Sequence, residues 1–193
     1  MDINETWVSV FEIIGTVAIA VSGAVQAIRR RMDIFGVAIL GLVASVGGGV
    51  IRDIIIGSYP PRVFVYPRCA IIAVTAALLT FVLTWVIHKR RVDEAKIERL
   101  LEAPMFFGDT LGLAAYTVLG IQVTAKVMPG ASFYLLLFVG VVTGVGGGVL
   151  RDTLACTVPA IFRKRIYALA SIGGAIVNIT SVVGITGNAG QAN

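Results

Sequence analysis

Apolar residues run along this chain in unbroken blocks of about twenty, the length that crosses a bilayer as a helix, with short polar stretches between them. The blocks cover about Trp7 to Ile28, Ile34 to Ile56, Cys69 to Ile87, Met105 to Val127, Phe133 to Val158 and Ile166 to Ile185. Apolar positions are continuous rather than alternating, which predicts membrane helices and argues against barrel strands. The separators carry stop signals: Pro60-Pro61 after the second block, Pro129-Gly130 after the fourth and Pro159 after the fifth. His88 to Glu102 is the longest polar segment, and Ile97 and Leu100 among its charges predict a short surface helix within a solvated connector. Thr186 to Asn193 is a polar tail.

Two blocks contain the same costly stretch. Gly47-Gly48-Gly49-Val50-Ile51-Arg52-Asp53 recurs at an offset of 99 as Gly146-Gly147-Gly148-Val149-Leu150-Arg151-Asp152. Each glycine weakens a helix by roughly 1 kcal/mol relative to alanine. A charge at the centre of a membrane helix costs about 2.5–3.5 kcal/mol. Pro60 and Pro159 keep the same offset, while Glu12-x-x-Gly15 and Asp109-x-x-Gly112, Ala18 and Ala115, and Gly23 and Gly120 match at an offset of 97. Blocks one to three therefore repeat as blocks four to six. Three is odd, so the second copy enters the membrane from the opposite side, as an inverted-topology repeat. The expected architecture is an all-α polytopic membrane protein: repeat one over 1–88, a connector over 89–104, repeat two over 105–185 and a tail over 186–193.

The triplets carry the candidate chemistry. Interrupted helices would free backbone carbonyls, which are tolerated only where they are buried in protein or line water and which can replace part of a cation's hydration shell. Gly47, Gly48, Gly49, Gly146, Gly147 and Gly148, with Ser45 and Thr143, make the expected lining of a path; the competing reading is that these glycines only let two helices cross closely. Arg52 and Asp53 are neighbours in sequence and do not face each other on a regular helix. The symmetric expectation pairs the Arg of one copy with the Asp or the freed carbonyls of the other, against a purely structural ion pair locking the helices. Glu12 and Asp109 form a second matched pair, placed to concentrate cations at the two ends of a path or to cap their helices.

Composition narrows the class. The chain has 193 residues, 57% hydrophobic and 14% charged, with a mean hydropathy of +0.91. A soluble domain of this size has too little interior for so much apolar surface. The basic pI near 9.6 comes from residues clustered between blocks, which fits loops facing the cytoplasm and not nucleic-acid binding. The turns after blocks one, three and five hold Arg29 to Arg31, then Lys89, Arg90, Arg91, Lys96 and Arg99, then Arg163 to Arg165; the opposite side holds Arg62, Arg68 and Lys126. This asymmetry places the N-terminus outside, and six spans would place the C-terminus outside too. The first block follows Asp2 and Glu5 rather than basic residues, so it reads as a retained span and not a cleaved signal. Cys69 and Cys156 fit no metal pattern and fall near opposite faces, so no disulfide is expected. With a single histidine, His88, no nucleophilic triad, Walker loop or βαβ setting for a dinucleotide is present, and no enzyme activity, cofactor or metal is expected.

On these residues the chain resembles prokaryotic members of the trimeric intracellular cation channel family, a type also labelled as glycine-transporter-like bacterial membrane proteins. The doubled Gly-Gly-Gly-Val-(Ile/Leu)-Arg-Asp, the run Tyr59-Pro60-Pro61-Arg62-Val63-Phe64 with Tyr66-Pro67-Arg68, and Asp109-x-x-Gly112-Leu113-Ala114-Ala115-Tyr116 carry the resemblance over nearly the whole chain. It implies a homotrimer in the cell (inner) membrane with one hourglass pore per protomer, lined by second and fifth helices kinked at the triplets, that passes monovalent cations, chiefly potassium. It also implies a seventh helix, for which nothing after the sixth block is apolar enough. Arg52 and Arg151 would then be neutralised by Asp partners or held off the axis, because positive charge in a pore repels cations. The alternative that the repeat supports equally is an alternating-access carrier of a small zwitterion such as glycine.

Overall fold

A computed structural model of the chain describes residues 3–89, 94–163 and 172–180, and every regular element among them is helical. Helix α1 is Ile3–Arg29, α2 Ile34–Ile55, α3 Arg62–Val65, α4 Arg68–Lys89, α5 Glu94–Val127, α6 Phe133–Leu154 and α7 Ala160–Arg163. Residues 172–180 are also helical. Ser9–Arg29, Ile34–Ile55, Arg68–Lys89, Leu101–Val127 and Phe133–Leu154 are each long and apolar enough to cross a membrane. Apart from 172–180, the sixth block and the tail lie outside the described residues, as do Lys164 and Arg165 of the basic turn and Arg90 to Asp93 of the connector.

The connector departs from expectation. No separate surface helix precedes the fourth span: α5 runs unbroken from Glu94, with Pro104 inside it. An interior proline removes one backbone donor and costs about 3 kcal/mol. Packing against α1 offsets this, because Leu101 is buried against Val25 while Met105, Val21, Ile28 and Ile87 close around the pair.

The repeat is visible in how the helices begin and end. The Asp33 side chain caps α2, accepting from the Gly36 amide at 2.7 Å, and Ser132 caps α6 at the matching position, accepting from the Leu135 amide at 3.3 Å. Each such cap is worth about 1 kcal/mol. At the far ends the Ile56 and Ala155 amides bond the Arg52 and Arg151 carbonyls, and the Ser58 and Thr157 amides reach the Asp53 and Asp152 carbonyls at 2.8 Å.

Helices α1, α2, α5 and α6 form the central bundle, and α4 packs outside it on α1 and α2. Helices α1 and α5 run antiparallel: Gly15 lies against Tyr116, Ile19 against Gly112, and Ser22 bonds Asp109. Helices α2 and α6 are antiparallel too, with Gly47 against Leu150 and Ile51 against Gly146. This is the packing an inverted repeat requires. Only Ala73 and Ala77 of α4 are buried, and Ile71, Leu79, Leu83 and Trp85 are exposed on it, as suits a helix facing lipid.

Both glycine triplets remain helical, because α2 and α6 are continuous through them. The expected unwinding does not occur. A glycine weakens a helix by only about 1 kcal/mol, whereas each backbone group left unpaired in an apolar surround costs several.

Candidate functional site

The triplets divide into two roles. A Cβ added to Gly48 would land on the Thr143 carbonyl oxygen, and one added to Gly147 on the Ala44 carbonyl oxygen. Ala44 and Thr143 are themselves mates at an offset of 99, so α2 and α6 cross backbone to backbone about the pseudo-two-fold axis. Gly47 and Gly146 extend this contact toward Leu150 and Ile51. The third glycine of each triplet faces away. A Cβ on Gly148 would meet nothing within 4 Å, and one on Gly49 only Arg52 Nη2 at 3.8 Å.

Gly49 and Gly148 border two recesses on opposite sides of the crossing. The first, about 620 Å³ with its open mouth, is walled by Glu12, Ser45, Gly49, Arg52, Asp53, Arg62, Arg68, Cys69 and Tyr116. The second, about 450 Å³ again counted with its open mouth, is walled by Ile19, Asp109, Leu113, Gly144, Gly148, Arg151, Asp152 and Ala160. The two walls correspond residue by residue: Glu12 to Asp109, Tyr116 to Ile19, Gly49 to Gly148, Arg52-Asp53 to Arg151-Asp152. Asp109 lies level with Ser22 of α1, ten residues and about 15 Å along that helix from Glu12, so the two recesses lie toward opposite ends of the bundle.

Each recess holds a buried Arg-Asp pair. Arg52 donates from Nε and Nη2 to Asp53 Oδ1 at 2.9 and 2.7 Å, and Asp53 Oδ2 accepts from the Arg62 amide at 2.8 Å. Arg151 Nε donates to Asp152 Oδ1 at 2.8 Å, and Asp152 Oδ2 accepts from the Ala160 amide at 2.9 Å. Arg52 and Arg151 are 7% and 1% exposed, so both charges lie in the protein interior. The cross-copy pairing expected of them is corrected by this geometry. The guanidinium stem is long enough to fold back over the carboxylate of the next residue, and that carboxylate also anchors the loop after its helix.

The pairs differ in their third partner. Arg151 also grips both carboxylate oxygens of Asp109, Nη2 to Oδ2 at 3.1 Å, and donates from Nη1 to Ser22 Oγ at 2.5 Å. Ser22 in turn donates to Asp109 at 2.6 Å. Among the described residues Arg52 pairs with Asp53 alone, and Glu12 forms no ion pair with it. Of the expected lining, Ser45, Gly49 and Gly148 border recesses, whereas Gly47, Gly48, Gly146, Gly147 and Thr143 sit at helix contacts. Cys69 and Cys156 are both free. Sequence reasoning did not single out Ser22, Thr16 or Ile19. Ser22 and Thr16 are among the few polar residues of the first block, and that scarcity was the available signal; Ile19 gave none.

A family model described as a glycine transporter matches this chain twice, over residues 9–85 and 106–182. The chain is 38% identical over 170 residues to the UPF0126 inner membrane protein YadS of Escherichia coli strain K12, covering 88% of this chain and 76% of that one. It is 33% identical over 168 residues to the UPF0126 membrane protein YvgT of Bacillus subtilis strain 168, covering 86% and 77%. Its fold is similar to that of the TRIC trimeric intracellular cation channel orthologue from Rhodobacter sphaeroides, with a TM-score of 0.78, 29% identity, and coverage of 93% of this chain and 86% of that one. A prokaryotic TRIC channel solved in 0.5 M KCl gives 0.77, 28%, and 92% and 85%.

Proposed function

This chain belongs to the glycine-transporter family of multi-pass membrane proteins, and from that premise we propose that it is a cation channel, passing potassium-type ions through one pathway in each protomer of a homotrimer. The observation that carries the reading is the pair of matched recesses, lying toward opposite ends of one bundle and each bearing a carboxylate, Glu12 or Asp109. A cation entering either recess meets that carboxylate and an Arg whose charge is already paired with Asp53 or Asp152. The pairing answers, for Arg52 and Arg151, the objection that arginine in a pore repels cations. Ser45, Gly49 and Gly148 offer polar or bare wall along the path. The trimer is proposed from the solved relatives, which are named as trimeric, and native mass spectrometry of the purified protein would return three copies. The basic turns orient the N-terminus outside the cell membrane.

Purified protein in a planar bilayer, recorded in a KCl gradient, should give unitary currents that reverse near the potassium potential. Saturable uptake of a small zwitterion such as glycine, without unitary currents, would overturn the channel in favour of the carrier.

A further inference from the structure

We infer that the barrier between the two recesses is a septum made by Ile19 and Tyr116, and not by the glycine triplets. The glycine crossing leaves no room, since the Thr143 and Ala44 carbonyls already lie where a single methyl on Gly48 or Gly147 would stand. The two recesses approach each other beside that crossing, where α1 and α5 face it. There Ile19 walls the Asp109 recess and Tyr116 walls the Glu12 recess. Both belong to one buried apolar cluster with Ala44 and Leu119, at 5% and 7% exposed. They are mates at the offset of 97, so the septum is one element of the repeat seen from its two sides.

Each member is seated on a glycine of the opposite helix. The Tyr116 ring lies over Gly15, where a Cβ would stand 3.2 Å from Cε2, and Ile19 lies over Gly112, where a Cβ would overlap it. The tyrosine is also tied at its far end. Thr16 spends its one hydroxyl proton on the Glu12 carbonyl at 2.7 Å, so Tyr116 Oη donates to Thr16 Oγ1, also at 2.7 Å. A layer of apolar side chains between the two recesses stops ions by excluding water, because a cation crossing it gives up hydration without a substitute ligand. In the channel reading, on which this consequence rests, opening requires Tyr116 or Ile19 to leave its glycine seat.

The native Cys69, on the wall of the Glu12 recess, reports on the septum without any assumption about channel activity. In a Cys156→Ser protein oriented in vesicles, a membrane-impermeant thiol reagent should modify Cys69 from the Glu12 side only. Adding Ile19→Ala should make Cys69 modifiable from both sides. In bilayer recordings Ile19→Ala should raise the open-to-closed ratio roughly ten-fold. Tyr116→Phe, which keeps the ring and loses only the bond to Thr16, should raise it about three- to ten-fold. Labelling of Cys69 from the Asp109 side with Ile19 intact would overturn the septum. So would labelling that stays one-sided in an Ile19→Ala protein whose oligomer elutes as wild type does. Failure of the channel reading is a separate outcome, in which the labelling pattern holds and the wild type gives no unitary current.

Discussion

Arg151 is the most enclosed charge of the molecule as described, and its surroundings explain how a membrane helix tolerates it. Two carboxylates and a serine hydroxyl take up its donors. Loss of the Asp109 charge leaves Arg151 paired with Asp152 but takes away charge-assisted hydrogen bonds, at a cost of about 1.5–3 kcal/mol. Asp109→Asn is therefore expected to lower the thermal midpoint of the purified protein by many degrees. Glu12 occupies the same place in the other repeat, but it is half-exposed and forms no ion pair with Arg52. Glu12→Gln should accordingly cost less than about 1 kcal/mol. Equal midpoint shifts for the two variants, read by size-exclusion after heating, would contradict the asymmetry between the recesses.

At the scale of the helices, one motif serves two purposes through 3.6-residue geometry. Positions 47 and 48 turn toward α6 while position 49 turns toward a recess, and 146 to 148 do the same toward α2. Gly48→Ala or Gly147→Ala must push two backbones apart, an overpacking that costs about 1–3 kcal/mol. Gly148→Ala meets nothing and replaces a poor helix former, so it should stabilise by up to about 1 kcal/mol. A thermal scan in detergent of these three variants would separate contact glycines from wall glycines. A destabilised Gly148→Ala would show that the third glycine is also needed for packing.

Over the whole molecule, the inverted repeat builds two vestibules of matching plan and different charge. The Glu12 recess carries Arg52, Arg62 and Arg68 against Glu12 and Asp53, while the Asp109 recess carries Arg151 against Asp109 and Asp152. In the first, Glu12 is the carboxylate not already committed to a buried arginine, so it dominates the attraction of cations to that mouth. In the channel reading, Glu12→Gln should reduce single-channel potassium current about two- to three-fold at 0.05 M salt. The difference should vanish near 1 M, where the Debye length falls to about 3 Å. A reduction that persists unchanged at high salt would mean that Glu12 acts by contact or shape rather than through its field.

Span lengths, helical class and the doubled motif could all be read from the chain alone. Block length is set by bilayer thickness, and a repeat is a property of residue order. The same order implied antiparallel halves, because three spans per repeat leave no other topology. That Arg52 and Arg151 point into the protein also followed from the sequence, since charge in hydrocarbon is too costly to leave exposed there. Tertiary structure decided which carboxylate each arginine meets. Adjacent residues do not face each other along an ideal helix, and only the real path of the side chain brings Arg52 to Asp53 and Arg151 to Asp152, Asp109 and Ser22. It also decided that the glycines close the crossing of α2 and α6 rather than open it. Three glycines in a row are compatible with an unwound helix and with a tight one, and the difference lies in whether another backbone stands opposite. Ile19 gave no signal in sequence for the same reason: an isoleucine in an apolar block becomes a barrier only when Gly112 of a distant helix seats it between two recesses.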